Sequence, residues 1–273
     1  MFCYRHPDRE AYVRCQRCER FICPACQTEA AVGFLCPEDA GKTGASARMT
    51  AAAPAPLRRA MASNRPIVTY ILIGLCVAIW GLQMLPGSTI TEQYLYWPLA
   101  TSAEPWRMLT AAFLHSTSSP FHLLMNMFTL WWLGRELEVV LGRGRFIAAY
   151  LLSAFGGSVG VLLLSDPTTA VVGASGALFG LMVLYIIVAK TLGGDPRSIT
   201  VIFAINLFLG FGIPGIAWQA HVGGAITGAA VGVLYSRTRS AKSGPARVAG
   251  MVGITAILLV LTFYGVTKIA TGF

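Results

Sequence analysis

The chain has 273 residues, of which 55% are hydrophobic and only 12% are charged, and its formal net charge at pH 7 is +9. Soluble domains carry about 25% charged residues, so the composition excludes a soluble globular protein and predicts an all-α polytopic membrane protein. Ten of the 21 basic residues precede Ile67, where the first apolar run begins, and no basic stripe is interleaved with aromatic residues. This distribution indicates membrane orientation and does not favour nucleic-acid binding.

The first 40 residues form a head that contains six of the seven cysteines, in pairs with two residues between the partners. The pairs are Cys3 and His6, Cys15 and Cys18, Cys23 and Cys26, and Cys36 and Asp39. A two-residue gap lets both side chains of a turn reach one tetrahedral zinc ion. Disulfides are the alternative, but the regular spacing argues against them, and they are rare in the cytoplasm, where the orientation derived below puts the head.

The spacing from Cys3 to Asp39 is similar to that of a cross-braced B-box-type zinc finger, and the resemblance implies two structural zinc ions. It implies one site formed by Cys3, His6, Cys23 and Cys26, and a second formed by Cys15, Cys18, Cys36 and Asp39. If Asp39 is an ordinary surface residue, the second site has three protein ligands and takes water. We expect the metal to hold this small domain together. With no open catalytic position, the head is interpreted as a binding module for a cytoplasmic protein or a substrate's inner tail.

Residues 41–65 follow the head and have the Ala, Pro and Gly content of a flexible linker. Seven apolar runs then predict transmembrane helices, at residues 67–85, 121–133, 146–164, 170–189, 199–211, 216–235 and 248–268. A span needs about 20 residues, so the second and fifth runs are short. We expect the second helix to extend through Glu138 as a cytoplasmic overhang and the fifth to be short, tilted or mobile. Basic residues follow the second, fourth and sixth runs, which predicts a cytoplasmic N-terminus and an external C-terminus.

Four polar side chains in the apolar runs are candidates for one site: His122, Asn126, Ser175 and His221. Polar groups in lipid are costly and usually functional, although a lone one is more often an interhelical hydrogen-bond partner. The three helices that carry them are predicted to enter from outside, and residue counts from their expected starts put all four in the outer third of the membrane. We therefore expect them to meet. His115, in the preceding loop, is expected at the rim of the site or in solvent.

Glycines predict how the helices of Ser175 and His221 approach each other. Gly224, Gly228 and Gly232 form one face at four-residue spacing, and Gly176 and Gly180 offer a matching face. Small residues at this spacing let membrane helices pack backbone to backbone. Such packing is expected to bring the two side chains within hydrogen-bond reach.

Together these residues resemble the rhomboid family of intramembrane serine proteases from about residue 67 to residue 235. The motifs are Trp106-Arg107 with Phe113 and His115, His122-x-x-x-Asn126, residues 134–138 with Gly142, Phe146 and Tyr150, Gly173-Ala174-Ser175-Gly176, and Ala220-His221 with Gly223, Gly224 and Gly228. The resemblance implies a rhomboid-like six-helix core at residues 66–236. The zinc-binding head at 1–40, the linker at 41–65, and a cytoplasmic loop with a seventh helix at 237–273 lie outside that core.

By this resemblance Ser175 is the nucleophile and His221 the general base. His122, Asn126 and the backbone N–H of Ser175 stabilise the oxyanion, and Phe179 takes the place of an aromatic residue against the histidine. No acidic side chain in the predicted spans can orient His221, which favours a two-residue dyad. The implied function is an intramembrane serine endopeptidase that cleaves transmembrane segments near the outer membrane face without a catalytic cofactor.

Two further expectations concern access to the site. Residues 210–215 are glycine-rich and are interpreted as a mobile cap. The short fifth helix, with Phe203, Phe208 and Phe211, is interpreted as the lateral route for a substrate helix.

Two other functions remain open. A catalytically silent rhomboid-like protein that binds membrane helices would be expected to lack Ser175 or His221, and both are present. A transporter would be expected to carry charged residues at mid-membrane or broken helices in matching halves, and no inverted repeat is found. The expected partners are the lipid bilayer of a bacterial cell membrane and transmembrane protein substrates.

Overall fold

The computed structural model describes residues 1–29, 33–41, 65–213 and 215–271. It divides into two compact units, Met1–Ile67 and Val68–Phe273. The predicted linker lies outside the described residues except at its two ends.

The N-terminal unit is built from very short elements around a small core. Strand β1 (Val13–Arg14) pairs antiparallel with β2 (Phe21–Ile22), β3 (Thr28–Glu29) pairs antiparallel with β4 (Phe34–Leu35), and helix α1 (Pro37–Gly41) follows. Its buried core consists of Ala11, Ile22 and the side chains of five cysteines. Two-residue strands over so little apolar surface do not fold stably without a further constraint. A constraint that links the cysteines is therefore needed to stabilise this unit.

The second unit is helical. It contains α2 (Ile67–Gln83), the short helices α3 (Ile90–Tyr94) and α4 (Arg107–Thr110), α5 (Pro120–Leu141), α6 (Arg143–Leu164), α7 (Ser175–Thr191), α8 (Arg197–Gly212), α9 (Trp218–Arg237) and α10 (Gly244–Thr271). Each of the seven predicted apolar runs falls within one of the longer helices, apart from a few residues at its ends. Two helices, α6 and α10, are long and apolar enough by length and composition to cross a membrane, and α2, α7 and α8 are shorter apolar helices.

Helices α6, α7 and α9 form the centre of this unit. A Cβ built on Gly224 or Gly228 of α9 overlaps the carbonyl groups of Gly176 or Gly180 on α7, which confirms the predicted glycine contact. Helix α6 adds a third glycine surface, because a Cβ on Gly157 would lie 3.3 Å from the Cα of Gly176. The glycines of α6 were not among the predicted contacts. Close backbone contact therefore extends across all three helices.

The start of α7 differs from the prediction. The helix was expected from residue 170, but it begins at Ser175, because the preceding residues are extended. Val171 forms an antiparallel bridge with Tyr96, and Gly173 has a φ of +125°. That φ lies outside the helical range and favours glycine. Ser175 is therefore the first residue of a helix and not a residue six positions inside one.

Helix α5 extends through the predicted Glu138 and ends at Leu141. The predicted extension of the helix is therefore confirmed, and the side chain of Glu138 is buried. Its carboxylate accepts hydrogen bonds from the backbone N–H groups of Val68 and Thr69 at 2.9 and 2.7 Å, and from the Thr69 hydroxyl at 2.8 Å. A carboxylate at this position satisfies first-turn N–H groups of α2 and interacts favourably with the helix dipole.

Candidate active site and candidate metal sites

Ser175 and His221 lie within hydrogen-bond distance. The Oγ of Ser175 is 3.1 Å from Nε2 of His221, which lies in the first turn of α9. The glycine contact explains this approach, because Gly176 follows the serine directly and Gly224 lies three residues after the histidine. The predicted depth of His221 was counted over seven residues from Pro214. That count does not measure distance along a helix, because α9 begins only at Trp218 and Pro214 is not among the described residues.

The ring of His221 is held by an aromatic residue and not by a carboxylate. Phe179, one turn after Ser175 on α7, stacks on it with ring centroids 4.0 Å apart and an interplanar angle of 6°. Its other ring nitrogen, Nδ1, is buried and has no hydrogen-bond partner in the described part of the chain. Stacking on Phe179 thus sets the plane of the His221 ring, whose Nε2 lies beside the Ser175 hydroxyl.

His122 reaches the extended segment that precedes Ser175. A Cβ built on Gly173 would lie 2.7 Å from Cε1 and 2.9 Å from Nε2 of His122. The Nδ1 of His122 accepts a hydrogen bond from the backbone N–H of Ser116 at 3.2 Å. Because a backbone N–H can only donate, Nδ1 is the acceptor and the proton of the neutral ring lies on Nε2. The edge of the ring beside Gly173 is therefore a hydrogen-bond donor.

Asn126 is placed differently. Its side-chain amide donates to the carbonyl of His122 at 2.7 Å, one turn back on α5. Its Oδ1 is buried and has no hydrogen-bond partner within the described residues. The structure thus brings three of the four predicted residues around the Gly173–Ser175 segment, whereas the observed bond of Asn126 serves its own helix.

The expectation that His115 is at the rim or solvated is wrong. Its side chain is 0% exposed, and its ring centroid lies 5.4 Å from that of His122. Burial, together with the neighbouring His122, lowers the pKa of His115 to about 4, so its ring is neutral at physiological pH. The residue lies in the connection between α4 and α5, and sequence position alone gave no sign that this connection folds inward.

A small cavity opens beside Ser175, with a volume of about 30 Å³. Its lining consists of alanine, glycine, valine and serine residues from the Ala111–Phe113 turn, α6, the start of α7 with the segment before it, and the start of α9 with the residue before it. A water molecule needs roughly 10–15 Å³ of such volume. The cavity therefore has room for water or a small side chain, and not for an aromatic ring.

The predicted access elements are described in part. Helix α8 has its expected short length, and the side chains of Phe208 and Phe211 are exposed. Phe203 instead faces the site, with its ring centroid 5.7 Å from that of Phe179. The predicted cap at residues 210–215 includes Pro214, which lies outside the described residues.

The N-terminal unit brings together two groups of four potential metal ligands. They are Cys3, His6, Cys23 and Cys26 in one group and Cys15, Cys18, Cys36 and Asp39 in the other, with the ligand atoms of each group within 4.8 Å of one another. All seven cysteines of the chain are free thiols, so the disulfide alternative is not observed.

The distances within each group suit tetrahedral zinc, for which adjacent ligand atoms lie about 3.5–3.8 Å apart. The Nδ1 of His6 is 3.4 Å from the Cys23 sulfur and 3.3 Å from the Cys26 sulfur. The Oδ2 of Asp39 is 3.4 Å from the Cys15 sulfur and 3.2 Å from the Cys36 sulfur. Asp39 is buried among these thiols, which contradicts the alternative that it is an ordinary surface residue.

Local hydrogen bonds favour the anionic form of some of these ligands, whereas burial raises the pKa of the Cys18 and Cys26 thiols to about 11. Burial raises the pKa of the Cys3 thiol, but backbone N–H groups of Cys23, Arg5 and His6 outweigh it and lower that pKa to about 6. The Cys18 thiol is the main group that lowers the pKa of the Asp39 carboxyl. The donor set of each group therefore fits a structural zinc site with four protein ligands.

Comparison with known proteins gives matches to one family. The rhomboid domain model matches residues 102–238. Rhomboid protease GluP of Bacillus subtilis is 31% identical over 217 residues, which cover 74% of this chain and 41% of that protein. RHOMBOID-like protein 4 of Arabidopsis thaliana is 39% identical over 136 residues, which cover 47% of this chain and 34% of that protein. This chain spans less than half the length of these two relatives.

A shorter relative is covered almost completely. Putative rhomboid protease YdcA of Bacillus subtilis is 30% identical over 175 residues, which cover 60% of this chain and 85% of that protein. The domain match spans about half of the present chain and includes Ser175, His221, His122 and Asn126. On the strength of this domain match and this coverage, the chain belongs to the rhomboid family.

Proposed function

We propose that the protein is an intramembrane serine endopeptidase that cleaves transmembrane segments near the outer membrane face. The observation that carries the proposal is the 3.1 Å contact between Ser175 Oγ and His221 Nε2 within a helical bundle of the rhomboid family. Nucleophile and base within hydrogen-bond reach, with oxyanion donors nearby, form the minimal set for acyl transfer. An intact dyad favours this function over a catalytically silent helix-binding protein.

The reaction follows from the positions of these atoms. Ser175 Oγ attacks the scissile carbonyl carbon as its proton passes to His221 Nε2. The carbonyl oxygen becomes an oxyanion, which accepts hydrogen bonds from the Ser175 N–H and the Nε2–H of His122. His221 then donates the proton to the leaving amine, and the peptide bond breaks to leave an ester on Ser175. Water, deprotonated by His221, hydrolyses the ester and restores the hydroxyl.

The cavity beside Ser175 is proposed to receive the substrate side chain next to the scissile bond. Its volume of about 30 Å³ and its lining of small residues favour alanine- or glycine-sized groups. A larger side chain would require the packed glycine helices to separate.

The head is proposed to be a B-box-type zinc finger that lies in the cytoplasm. The protein is proposed to span a bacterial cell membrane, with its C-terminus outside. The two groups of ligands in the head are proposed to hold two structural zinc ions, and catalysis needs no metal. We propose that the head recruits a cytoplasmic protein or the inner tail of a substrate and so raises the local substrate concentration. Deletion of residues 1–60 should then leave cleavage of a short generic substrate unchanged and weaken cleavage only of the physiological one.

Labelling by a serine-directed fluorophosphonate tests the proposed chemistry. The full-length chain should be labelled in membranes, and Ser175→Ala should abolish the label. Ser236→Ala is the matched control, because Ser236 also lies in a helix of the bundle but bonds only with Thr191 among the described contacts. Equal labelling of Ser175→Ala and the wild type would contradict the assignment of the nucleophile.

A further inference from the structure

The last turn of α2 holds the chain segment on which the orientation of His122 depends. Gln83 is a buried amide in an otherwise apolar run, 6% exposed. Its Nε2 donates to the carbonyl of His115 at 3.1 Å, and its Oε1 accepts from the N–H of the same residue at 3.1 Å. One turn earlier, the indole N–H of Trp80 donates to the carbonyl of Ser116 at 3.0 Å. Three hydrogen bonds thus fix two consecutive residues of the loop.

The carbonyl of His115 and the N–H of Ser116 belong to one planar peptide unit, with the two groups pointing in opposite directions. Gln83 binds the oxygen of this unit, and the Ser116 N–H donates to Nδ1 of His122 at 3.2 Å. Hydrogen bonds in such a chain polarise and strengthen each other. Gln83 on α2 therefore sets the orientation of this one peptide plane. The plane in turn sets which nitrogen of the His122 imidazole accepts a hydrogen bond.

We propose that Gln83, supported by Trp80, is a positioning residue that keeps His122 in the tautomer with its proton on Nε2. The inference rests on the proposed function, in which Nε2–H of His122 is an oxyanion donor. If the peptide plane turns, Nδ1 loses its donor, and the ring is free to carry its proton on Nδ1. Nε2 then presents a lone pair where negative charge develops, and the stabilisation becomes a repulsion.

The burial of Gln83 supports a role beyond packing. An amide within an apolar helix loses hydration and is retained only if its polar atoms are satisfied. Both hydrogens of its Nε2 are used, one on the His115 carbonyl and one on the hydroxyl of Thr91 at 2.9 Å. The second bond supplies a matched control, because Thr91→Val removes it and leaves the contact with His115 intact.

A double-mutant cycle on the full-length chain tests the proposal. Gln83→Met should lower kcat for a single-span substrate about tenfold with little change in KM, as expected for partial loss of one oxyanion donor. In the His122→Ala background, Gln83→Met should lower kcat less than about twofold, because the imidazole through which Gln83 acts is absent. Thr91→Val should keep wild-type kcat. Histidine ¹⁵N chemical shifts should show the Nε2–H tautomer of His122 in the wild type and a mixture in Gln83→Met.

Each outcome decides between specific alternatives. An equal loss of kcat from Gln83→Met in both backgrounds, or no loss in either, would overturn the positioning role while leaving the oxyanion assignment intact. A wild-type kcat in His122→Ala would instead overturn the oxyanion assignment of the proposed function, and this inference with it. If Gln83→Met does not fold, Trp80→Phe removes the indole donor, keeps an aromatic ring, and should show the same dependence on His122.

Discussion

A single methyl group at Gly224 tests whether the contact between α7 and α9 sets the geometry of the dyad. A Cβ at this position would lie 2.7 Å from the carbonyl carbon of Gly176, where ordinary contact begins at 3.4 Å. Gly224→Ala therefore requires the helices to separate by at least about 0.7 Å at this point, and by more to clear the carbonyl oxygen of Gly176, which is nearer still. A comparable displacement of His221 extends its 3.1 Å contact with Ser175 beyond hydrogen-bond range.

The expected result is a protein that inserts and folds but has a lower kcat. Misplacement of a reacting group by about 1 Å costs on the order of 100-fold, so we expect a loss of at least roughly 30-fold for Gly224→Ala. The assay is cleavage of a single-span substrate in detergent, together with the rate of fluorophosphonate labelling. Gly253→Ala in α10 is the control, because a Cβ there meets nothing within 4 Å, and it should keep full activity. Wild-type turnover in Gly224→Ala would refute the argument that glycine contact sets the dyad distance.

Four further predictions follow from the site and the head. Ser175→Ala and His221→Ala should each abolish cleavage, and the double variant should be no worse, because the two residues act as a unit; residual cleavage in Ser175→Ala would contradict this. His122→Ala should lower turnover about tenfold to a thousandfold, and Asn126→Ala should lower it less because the Asn126 amide donates to a carbonyl of α5. A larger loss of kcat in Asn126→Ala than in His122→Ala would contradict this order. Metal analysis of the full-length chain should give two zinc ions, and Asp39→Ala should weaken retention of the second against a chelator; one zinc in the wild type would rule out the second site. Among substrates that differ in the residue next to the scissile bond, those with alanine or glycine should be cleaved fastest and those with phenylalanine slowest. A preference for phenylalanine would argue against the proposal that the cavity receives this side chain.

Patterns of local spacing predicted much of the fold. The apolar runs and the longer helices coincide because a membrane helix needs a continuous apolar stretch, and that requirement is visible along the chain. The glycines of α7 and α9 are similarly local, and the pairing of the two faces followed from their matched spacing. The grouping of the cysteine pairs came from resemblance, since spacing alone leaves the pairing of four pairs into two sites open.

Contacts between distant segments could not be predicted in this way. The helical start at Ser175 is fixed by the bridge from Val171 to Tyr96, which is 75 residues earlier in the chain. His115 is buried because α2 binds its backbone, and nothing near His115 in the sequence indicates this contact. Gln83 did provide a signal, an amide in an apolar run, but the signal does not name its partner.

The bond between Glu138 and the first turn of α2 has a mechanical consequence. A pull on the chain preceding α2 acts on Val68 and Thr69, which are attached to the Glu138 carboxylate on α5 by two N–H groups and the Thr69 hydroxyl. Glu138 lies 16 residues beyond His122, or about 24 Å along α5 at 1.5 Å per residue. A load of this kind is shared between two helices far from the imidazole and spread through the bundle. The imidazole of His122 thus lies far from the point where such a load enters the bundle. Under the proposed function, a partner that pulls on the head would hold the protein in place and leave the oxyanion site undisturbed.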